Sequence, residues 1–340
     1  MGKEEVESIR NLVNGKRVTM VSHWDCDGVT SGAIIYNLIK HYAKDIRVKT
    51  KGEVFLVDEK DVDDGSEITI CVDIPASREL LESNDVILID HHPNEFTDLA
   101  RYSVYDKDKQ SCSLMIFEKI LYEKLKVDQY LVFLSLLGYF GDNGSNKDIP
   151  IELQIIASEL LPDMMKKNKS YYSNDHYLEI EKFVSLMNIG KRVDWSGDMP
   201  LRMLCSMKDY HELTNYSHPI ARTLIDEKRE LSKLYNQERD VNDLGHMHLI
   251  EINCDKNIQG VICARFMKDK PIIVINKNKR NIMASIRAPE DCEHDVGEYL
   301  TRISAMIPGI VAGGHEKAGG ASLDDSNYDS FKRAIAENKF

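Results

Sequence analysis

The chain has 340 residues, 42% hydrophobic and 29% charged, which indicates packed cores in about two domains and argues against disorder. Its 44 Lys and Arg against 56 Asp and Glu give a formal net charge of −12, which excludes a general coat for a nucleic-acid backbone. Apolar runs are too short to cross a bilayer and the N-terminal sequence lacks an apolar signal core, so we expect a soluble, cytoplasmic protein without membrane contacts. Seven cysteines without a CxxC pair argue against a disulfide framework or a structural zinc site.

Hydrophobic patterning in the first 200 residues predicts a doubly wound α/β domain. Short β-branched apolar runs are typical of strands covered on both faces of a parallel sheet, and apolar residues at helical spacing mark the segments between them. The predicted elements are a strand at 17–22, a helix at 29–43, a strand at 68–73, a short crossover helix at 76–83, a strand at 85–90 and a helical region at 111–161. We therefore expect a mainly parallel sheet domain with helical additions.

A charged amphipathic stretch at 219–240 predicts a helical linker to a second, smaller α/β domain, and Pro219 suits the first turn of that helix. Beyond Gly245 the pattern predicts a strand at 248–252, a helix at 260–269, strands at 271–275 and 281–288, a helix at 295–307, a glycine-rich turn and a last helix at about 327–337. The predicted boundaries are 1–215 for the first domain, 216–244 for the linker and 245–340 for the second domain, with a metal cleft between the domains.

Acidic and imidazole side chains follow the predicted strands of the first domain. In an open α/β sheet the carboxyl ends of parallel strands face one crevice, so residues at separate strand ends meet there. Unpaired carboxylates packed together raise one another's pKa, and a divalent cation removes that penalty. The residues are His23, Asp25 and Asp27 after the first strand, Asp73 after the second, Asp90, His91 and His92 after the third, and Asp142 in GYFGDNG after a helical run.

The number and type of these side chains favour two cations over one. A mixed set of carboxylate oxygens and imidazole nitrogens suits Mn²⁺, with Mg²⁺, Co²⁺ or Zn²⁺ as alternatives. Each residue alone has a simpler explanation: Asp25 or Asp27 as a helix N-cap, Asp73 and Asp142 as turn residues, and a single His as a surface or core residue. The joint pattern at corresponding strand ends favours the metal site.

The motifs built from these residues resemble those of the DHH phosphoesterases, in particular the RecJ-like and NrnA-like members. Asp90-His91-His92 matches the tripeptide that names the family, and HWDCDG (23–28) resembles its first motif in the RecJ-like arrangement. VDIP (72–75) resembles the second motif and GYFGDNG (138–144) the fourth. One DHH string is a weak signal, whereas four motifs in the family's order are a specific one.

The last third of the chain resembles the DHH-associated C-terminal domain of the same family. GGHEKAGG (313–320) matches its glycine-rich signature, and ASIRA (284–288) resembles the Ser-x-Arg strand that faces it. The resemblance covers nearly the whole chain and is weakest over residues 145–245.

The resemblance implies two metal sites that share one carboxylate. His23, Asp25 and Asp73 would hold one cation, and Asp27, Asp73, His91 and Asp142 would hold the other, with Mn²⁺ as the expected metal. Asp90 would orient its neighbours, and His92 would contact the scissile phosphate or the leaving oxygen. In the second domain, Ser285, Arg287, Gly313, Gly314 and His315 would bind phosphate or a terminal nucleotide, the glycines through close backbone approach.

The implied reaction is two-metal hydrolysis of a phosphoester, with in-line attack by an activated water. Residues 265–280 carry six basic side chains against one acid, so this stretch either receives a polyanionic substrate or is a solvated face. The chain shows no additional nucleic-acid module, so we expect short substrates: single-stranded oligonucleotides, linear or cyclic dinucleotides, or a nucleoside bisphosphate. A homodimer is compatible with the sequence.

Two rival functions remain open at this stage. An inorganic pyrophosphatase or exopolyphosphatase would use the same metal scaffold, but the GGHEKAGG signature argues against it because pyrophosphatase relatives carry a different second domain. A non-catalytic scaffold subunit would have lost metal ligands, whereas every matched position here holds a side chain able to bind a metal.

Overall fold

The fold is described from a computed structural model of the chain, over residues 2–83, 85–121, 128–144, 148–169, 176–278 and 282–340. Parts of the predicted helical region 111–161, namely 122–127 and 145–147, lie outside the described residues. Lys279 and Arg280 of the basic stretch also lie outside them. The chain folds into two compact units, Met1–Lys228 and Arg229–Phe340. Among the helices of the described ranges, none has the length and apolar character that a bilayer span requires.

The first unit is built on a five-stranded sheet in which all strands are parallel. Its strands are β1 (Arg17–His23), β2 (Asp45–Lys51), β3 (Ile68–Val72), β4 (Val86–Asp90) and β5 (Tyr102–Tyr105). The strand order β2-β1-β3-β4-β5 places β1, β3 and β4 side by side at the centre. The predicted mainly parallel sheet is confirmed, and the edge strands β2 and β5 are added to the three strands that the sequence indicated.

Helices flank the sheet and extend the unit, as the predicted helical additions require. They are α1 (Gly2–Val13), α2 (Cys26–Ile39), α3 (Arg78–Ser83), α4 (Cys112–Ile116), α5 (Gln129–Asn143), α6 (Ile151–Leu160), α7 (Glu181–Met187), α8 (Ile189–Val193), α9 (Asp198–Ser206), α10 (His211–Thr214) and α11 (Pro219–Tyr235). Short 3-10 turns lie at Glu59–Asp61 and Thr97–Leu99, a π-helical turn lies at Phe117–Leu121, and β6 (Lys167–Lys169) pairs with β7 (His176–Leu178) in an antiparallel hairpin.

Both faces of the central strands are buried, which explains their near-continuous apolar sequences. Val21, Cys71 and Leu88 lie in one cross-strand row and pack with Leu80 of α3. Met20, the neighbour of Val21, points to the opposite face, where α2 packs, and it is also fully buried. Strands covered in this way carry apolar residues at successive positions rather than in alternation, as a doubly wound sheet requires.

Helix α5 packs on α2 through two glycines. A Cβ at Gly138 would lie 2.3 Å from Thr30 Oγ1. A Cβ at Gly141 would lie 2.9 Å from both the backbone nitrogen of Asp27 and the Cβ of Cys26. The missing side chains allow the two helices to approach closely, and this contact brings the C-terminal turn of α5 against the first turn of α2.

Gly141→Ala should destabilise the protein by roughly 1–3 kcal/mol, because the added methyl group meets backbone atoms that cannot rotate away. The higher helix propensity of Ala offsets at most about 1 kcal/mol of this loss. The free energy of unfolding is measured by urea titration, followed by circular dichroism.

The matched control is Ser135→Ala, in the same buried helix and nearly two turns earlier. Its hydroxyl donates to the Leu131 carbonyl (2.9 Å), and the substitution removes an atom rather than adding one. We expect a smaller loss of stability for this variant. Equal urea midpoints for Gly141→Ala and the wild type would show that α5 is not held by the close contact.

The second unit has its own six-stranded mixed sheet and its own core. Its strands are β8 (Asn242–Asp243), β9 (His248–Ile252), β10 (Ile272–Lys277), β11 (Ile282–Arg287), β12 (Val311–His315) and β13 (Ala318–Leu323), in the order β12-β13-β11-β10-β9-β8. Its helices are α12 (Gln259–Phe266), α13 (Val296–Met306) and α14 (Tyr328–Glu337), with a 3-10 turn at Asp325–Asn327. The sheet, α13 and α14 share one hydrophobic core, which includes Ile286, Leu300 and Phe331.

The predicted glycine-rich turn is wrong. Residues 313–320 form most of an antiparallel hairpin of β12 and β13, with only Glu316 and Lys317 between the strands. Glycine pairs usually indicate a loop, but here backbone pairing and packing use them inside strands. A Cβ at Gly319 would lie 2.5 Å from Leu300 Cδ1 of α13.

The predicted linker helix is present as α11, which begins at Pro219 as expected. The division between the two compact units falls inside this helix, after Lys228. The domain boundaries at 215 and 245 stay a prediction.

Candidate functional site

A cluster of acidic and imidazole side chains lies at the carboxyl ends of β1, β3 and β4, within the first unit. The chain passes outward from β1 to β2 and then returns to form β3 on the other side of β1. Reversal of strand order at such a switch point opens a crevice at the carboxyl edge of the sheet. The strand-end residues predicted from the sequence therefore meet at one place.

His23 and Asp25 occupy the turn between β1 and α2. His23 is the last residue of β1, and the Asp25 carboxylate caps α2 by accepting a hydrogen bond from the Gly28 N–H (3.1 Å). A Cβ at Gly28 would lie 2.4 Å from the His23 carbonyl oxygen, so this turn requires glycine. His23 Nδ1 lies 3.0 Å from Asp25 Oδ1 and 3.6 Å from Asp73 Oδ2. Asp25 is thus both a helix cap and a member of the cluster.

Asp27 is fully buried in the first turn of α2. Its carboxylate accepts hydrogen bonds from the backbone N–H groups of Cys112 (2.6 Å) and Ser113 (3.1 Å) at the start of α4. Burial, followed by the charge of Asp73, nevertheless raises the pKa of Asp27 to about 7. A nearby positive charge is required to keep this side chain ionised in so dry a position.

Asp73 follows β3 directly and lies between two imidazoles. Its backbone has φ of +59°, in the left-handed region that few non-glycine residues adopt. Its Oδ1 lies 3.3 Å from His91 Nε2 on the side opposite His23 in the strand order. Burial would raise the pKa of Asp73, but the adjacent imidazoles of His23 and His91 lower it. Local backbone strain of about 1–3 kcal/mol is commonly found at functional sites.

Asp90 holds the turn that carries both imidazoles of the DHH tripeptide. It is the last residue of β4 and is fully buried. Its Oδ1 accepts hydrogen bonds from the backbone N–H groups of His91 (2.8 Å) and His92 (3.1 Å), and it lies 2.9 Å from His92 Nδ1. The Nδ1 of His92 is thereby engaged, which leaves its Nε2 for a contact outside this network.

His91 is oriented by a backbone carbonyl. Its Nδ1 lies 3.0 Å from the Lys109 oxygen, and because a carbonyl only accepts, Nδ1 carries the hydrogen. Its Nε2 lies 3.3 Å from Asp73 Oδ1 and 3.5 Å from Asp142 Oδ2. This arrangement, with one ring nitrogen fixed and the other facing carboxylates, is typical of histidines that bind metals.

Asp142 lies in the last turn of α5, so the turn explanation for this residue is wrong. The helix continues through GYFGDN and ends at Gly144, which has φ of +62°. Burial, followed by the charges of Asp27, Asp25 and Asp73, raises the pKa of Asp142 well above its usual range. The close packing of α5 on α2 therefore places a fourth carboxylate where carboxylates already repel one another.

The side chains fall into three overlapping groups whose donor atoms lie within 4.8 Å of one another. The groups are His23, Asp25 and Asp73; Asp27, His91 and Asp142; and Asp73, His91 and His92. Asp73 and His91 belong to two groups each, so a ligand set for one cation would adjoin a ligand set for the next.

Three buried atoms of the cluster support such cations. Asp90 Oδ2 has no hydrogen-bond partner among the residues that the structure describes, and Asp73 Oδ1 and His91 Nε2 face each other at 3.3 Å without the geometry of a hydrogen bond. Because buried polar atoms are normally satisfied, these atoms call for a group that completes their coordination. Carboxylate oxygens together with imidazole nitrogens fit divalent cations such as Mn²⁺ or Mg²⁺.

When no cation is bound, protons on the imidazoles offset part of the negative charge of the carboxylates. Burial would lower the pKa of His23, but Asp25 and Asp73 raise it to about 9. Burial likewise opposes a raised pKa at His91, but the adjacent Asp73 carboxylate and the charge of Asp27 bring it to about 9. Protons and metal cations therefore compete for the same nitrogen atoms.

Mn²⁺ binding should release protons and weaken as the pH falls from 9 to 6. A pH of 7 is below the pKa of His23 and of His91, which is about 9 for each, so both imidazoles are protonated. Asp27 has a pKa of about 7, so its carboxyl group is protonated in part of the molecules. For each group that must lose a proton when the metal binds, the apparent affinity for Mn²⁺ falls about tenfold for every pH unit below the pKa of that group. Isothermal titration calorimetry in buffers of different ionisation enthalpy counts the protons. An affinity that does not change between pH 6 and 9 would contradict this assignment.

Sequence reasoning missed three residues at the edge of the cluster. Lys191 of α8 places its Nζ 3.7 Å from Asp25 Oδ2, and Asn188 accepts a hydrogen bond from the Cys26 N–H (3.2 Å). Phe55 lies against the rings of His23 and His92. Lys191 and Asn188 are more than 160 positions from their partners and belong to no recognised motif, whereas the apolar VFL at 54–56, among charged residues, was a usable signal.

The substrate-binding residues predicted in the second unit occupy three adjacent strands. His315, Ala318 and Arg287 form one cross-strand row of β12, β13 and β11, and Gly313, Gly320 and Ser285 form the next row on the same face. The structure therefore brings together Ser285, Arg287, Gly313 and His315, all of which lie on one face of the second sheet.

Gly314 differs from this group because it points to the other face of the sheet, where α13 packs. A Cβ at Gly314 would lie 2.3 Å from the Ala318 carbonyl oxygen, so strand packing accounts for this glycine. A Cβ at Gly313 would meet no atom within 4 Å. Of the two glycines, only Gly313 has an open approach on the face that carries Arg287 and His315.

Two lysines of the basic stretch are paired within the second unit. Lys270 Nζ lies 3.0 Å from Asp243 Oδ2, and Lys277 Nζ lies 3.3 Å from Asp325 Oδ1 and 4.5 Å from the centre of the Tyr328 ring. These contacts favour the solvated-face explanation for the part of the stretch that the structure describes.

The fold and the cluster define an α/β protein with a site suited to divalent cations. Residues 17–138 match the model of the DHH family, N-terminal domain. This match identifies a DHH-family N-terminal domain within the first unit, as the motifs predicted.

Solved structures extend the similarity of fold to the whole chain. RecJ from Thermus thermophilus in complex with Mn²⁺ has a TM-score of 0.68 and 18% sequence identity over 98% of this chain, which spans 54% of that RecJ. The DHH domain of a protein assigned to a family of ribosomal proteins has a TM-score of 0.66 and 14% sequence identity. The similarity covers 99% of this chain and 90% of the chain in that structure. An exonuclease RecJ bound to manganese has a TM-score of 0.62 and 17% sequence identity. The similarity covers 99% of this chain and 94% of the chain in that structure.

No curated protein matches the chain by sequence. The structural matches lie below 25% identity, so they support the fold and not a particular substrate. The DHH-domain match and the cluster of side chains able to hold a metal together support a metal-dependent phosphoesterase.

Proposed function

We propose that this protein is a two-metal phosphodiesterase or phosphatase that hydrolyses phosphoester bonds in short nucleic acids or nucleotides. The observation that carries the proposal is the set of three overlapping ligand groups near the carboxyl ends of β1, β3 and β4, with buried polar atoms that make no hydrogen bond among the described residues. Two adjacent cations supply an activated water and hold the phosphoryl oxygens in such sites.

Each residue of the cluster has a proposed role. His23, Asp25 and Asp73 hold one cation, and Asp27, Asp73, His91 and Asp142 hold the other. Asp73 is the shared ligand because it lies between the imidazoles of the two groups, at 3.6 Å from His23 Nδ1 and 3.3 Å from His91 Nε2. Mn²⁺ is the proposed metal, with Mg²⁺ or Co²⁺ as substitutes; RecJ structures that contain Mn²⁺ or Mg²⁺ support a divalent cation here.

Asp90 and His92 are proposed to act beside the metal ligands. Asp90 fixes the His92 ring through Nδ1 (2.9 Å), so His92 presents Nε2 to the scissile phosphate or the leaving oxygen. A positioned imidazole there can stabilise charge or give a proton to the leaving oxygen.

The second unit is proposed to bind the substrate through Ser285, Arg287, Gly313, Gly314 and His315. A guanidinium and an imidazole in one cross-strand row can bind phosphate oxygens, and Gly313 leaves its backbone open to a close approach. The proposed role of Gly314 is limited to its backbone, because its missing side chain is explained by packing.

Short substrates agree best with the charges of the chain. The net charge of −12 opposes a long polyanion, and two lysines of the basic stretch are paired with acids of their own unit. We therefore propose short single-stranded oligonucleotides, linear or cyclic dinucleotides, or a nucleoside bisphosphate as substrates, and a cytoplasmic location. A panel assay with Mn²⁺ over these classes, with pyrophosphate as the comparison, tests the proposal; hydrolysis of pyrophosphate alone would overturn it.

Asp73→Asn should reduce turnover by more than about 100-fold and weaken binding of both metal ions. Loss of a residue that merely supports a metal ligand costs about 10–100-fold, and loss of a shared ligand exceeds that. Asn is chosen because it tolerates the left-handed backbone of this position better than Ala. Steady-state kinetics and elemental analysis of the purified variant measure both effects.

Asp106→Asn is the matched control for that experiment. Asp106 follows β5 at the same edge of the same sheet, but its carboxylate pairs with Lys119 (3.1 Å) and not with the cluster. We expect wild-type metal content and turnover for this control. Near wild-type turnover of Asp73→Asn would remove Asp73 from the catalytic centre.

Arg287→Ala and His315→Ala should each lower kcat/KM by tens- to about a hundredfold, mainly through KM, while metal content is unchanged. This is the loss expected for one charge-assisted contact to phosphate, about 1.5–3 kcal/mol. The control is Arg302→Ala on α13, which packs on the opposite face of the second sheet. If the Arg287 variant behaves like the Arg302 variant on a short oligonucleotide, Arg287 does not bind phosphate.

A further inference from the structure

An exposed aromatic ring adjoins the imidazoles of the cluster. The centre of the Phe55 ring lies 4.9 Å from that of His23 and 4.6 Å from that of His92, with the ring planes nearly perpendicular at 82° and 75°. Phe55 is 40% exposed, and its neighbours Val54 and Leu56 are 58% and 38% exposed. We call residues 54–56 the apolar segment.

The chain holds the apolar segment in place at both ends. Before it, Gly52 lies so close to Trp24 that a Cβ would be 2.2 Å from the indole ring. After it, Val57 is fully buried and its N–H donates to the Pro75 carbonyl (2.9 Å), while its carbonyl accepts from the Ser77 N–H (2.8 Å). The segment is therefore fixed against the same strand end that carries Asp73.

The surroundings make this segment unusual for a surface. Single exposed apolar residues are common, but three in succession form a patch that typically marks a binding site. Charged residues flank the segment at Glu53 and Asp58, and the cluster beside it consists of carboxylates and imidazoles. A ligand for this place must combine a charged group for the cluster with a flat apolar group for Phe55.

We propose that Phe55 stacks on the nucleobase of the nucleotide whose phosphate lies at the cluster. A nucleobase is joined to its phosphate through one sugar, so the two parts of one nucleotide reach neighbouring places on the protein. Every base has a flat π face, so such stacking accepts any base sequence. The inference rests on the proposed function and deepens it, since it selects nucleotides over inorganic phosphates and polyphosphates.

A binding experiment tests the stack without catalysis. The probe is a dinucleotide that contains 2-aminopurine and a non-hydrolysable linkage, with Mg²⁺ because it does not quench fluorescence. Stacking on Phe55 should quench the probe in the wild type. Phe55→Ala should remove the quenching and weaken affinity roughly 5- to 100-fold, the loss expected for one base–aromatic stack, and Phe55→Trp should keep both.

Phe96→Ala is the matched control. Phe96 is also exposed (37%), and its ring lies 5.7 Å from the Arg78 guanidinium instead of beside the imidazoles. This control should bind the probe like the wild type. If Phe55→Ala does not fold, which thermal melting shows, Phe55→Leu replaces it because Leu keeps apolar volume without a π face.

Kinetics separate stacking from packing against the histidines. Phe55→Ala should lower kcat/KM on a dinucleotide but leave it unchanged when an abasic sugar replaces the stacked nucleoside. An equal loss on both substrates would mean that Phe55 only supports His23 and His92, and no loss on either would mean that it does not contact the substrate. Both results overturn the inference.

The binding experiment and the kinetic experiment together also distinguish this inference from the proposed function. Wild-type hydrolysis of dinucleotides without quenching of the probe by Phe55 would leave the function in place and remove the stack. Quenching that depends on Phe55, in a protein that hydrolyses no phosphoester, would keep the stack and remove the function.

Discussion

Repulsion between carboxylates at one edge of a parallel sheet is the constraint on which the first unit depends. Asp25, Asp27, Asp73 and Asp142 come from three separate parts of the chain, and the fold brings them together at a place where Asp27 and Asp73 are fully buried. Burial and mutual charge raise the pKa of Asp27 and of Asp142. Two protonated imidazoles can offset part of this repulsion, and divalent cations can offset more. A structure that exchanges protons for cations in this way is suited to bind metals reversibly as the pH and metal concentration change.

Backbone geometry, more than side-chain packing, makes this crowding attainable. Gly28 lets α2 start directly above the end of β1, and Gly141 lets α5 approach the first turn of α2. Asp73 accepts a left-handed backbone at the point where β3 ends. These positions tolerate few replacements because a methyl group would meet backbone atoms, or because the conformation suits few residues. Stability and function therefore draw on the same contacts, and a change that relaxes the packing of α5 would also move Asp142 away from its neighbours.

The sequence predicts the centre of this site well because its signals are local. An apolar β-branched run that ends in Asp90, His91 and His92 predicts a strand and also shows which residues lie at its carboxyl end. Other features depend on distant contacts and left no local signal. The edge strand β2 carries charged residues at alternate positions, so it lacks the apolar run of a central strand. GYFGDNG has the composition of a loop, yet packing against α2 keeps it helical through Asp142. Lys191 approaches Asp25 only because the chain at 188–191 returns to the start of α2.

An acidic protein and an anionic substrate are compatible if the attraction is confined to the site. The four carboxylates proposed as metal ligands carry about the charge that two divalent cations bring, so bound cations would cancel the repulsion among them. Lys191 then adds a positive charge at the same place, 3.7 Å from Asp25. The net negative charge of the chain lies N-terminal to residue 245, and in the second unit Lys270 and Lys277 pair with carboxylates. Because salt screens charges over about 10 Å, a substrate with one or two phosphates would meet mainly the cations. A long polyanion would also meet the acidic first unit, so the charge distribution supports the proposal of short substrates.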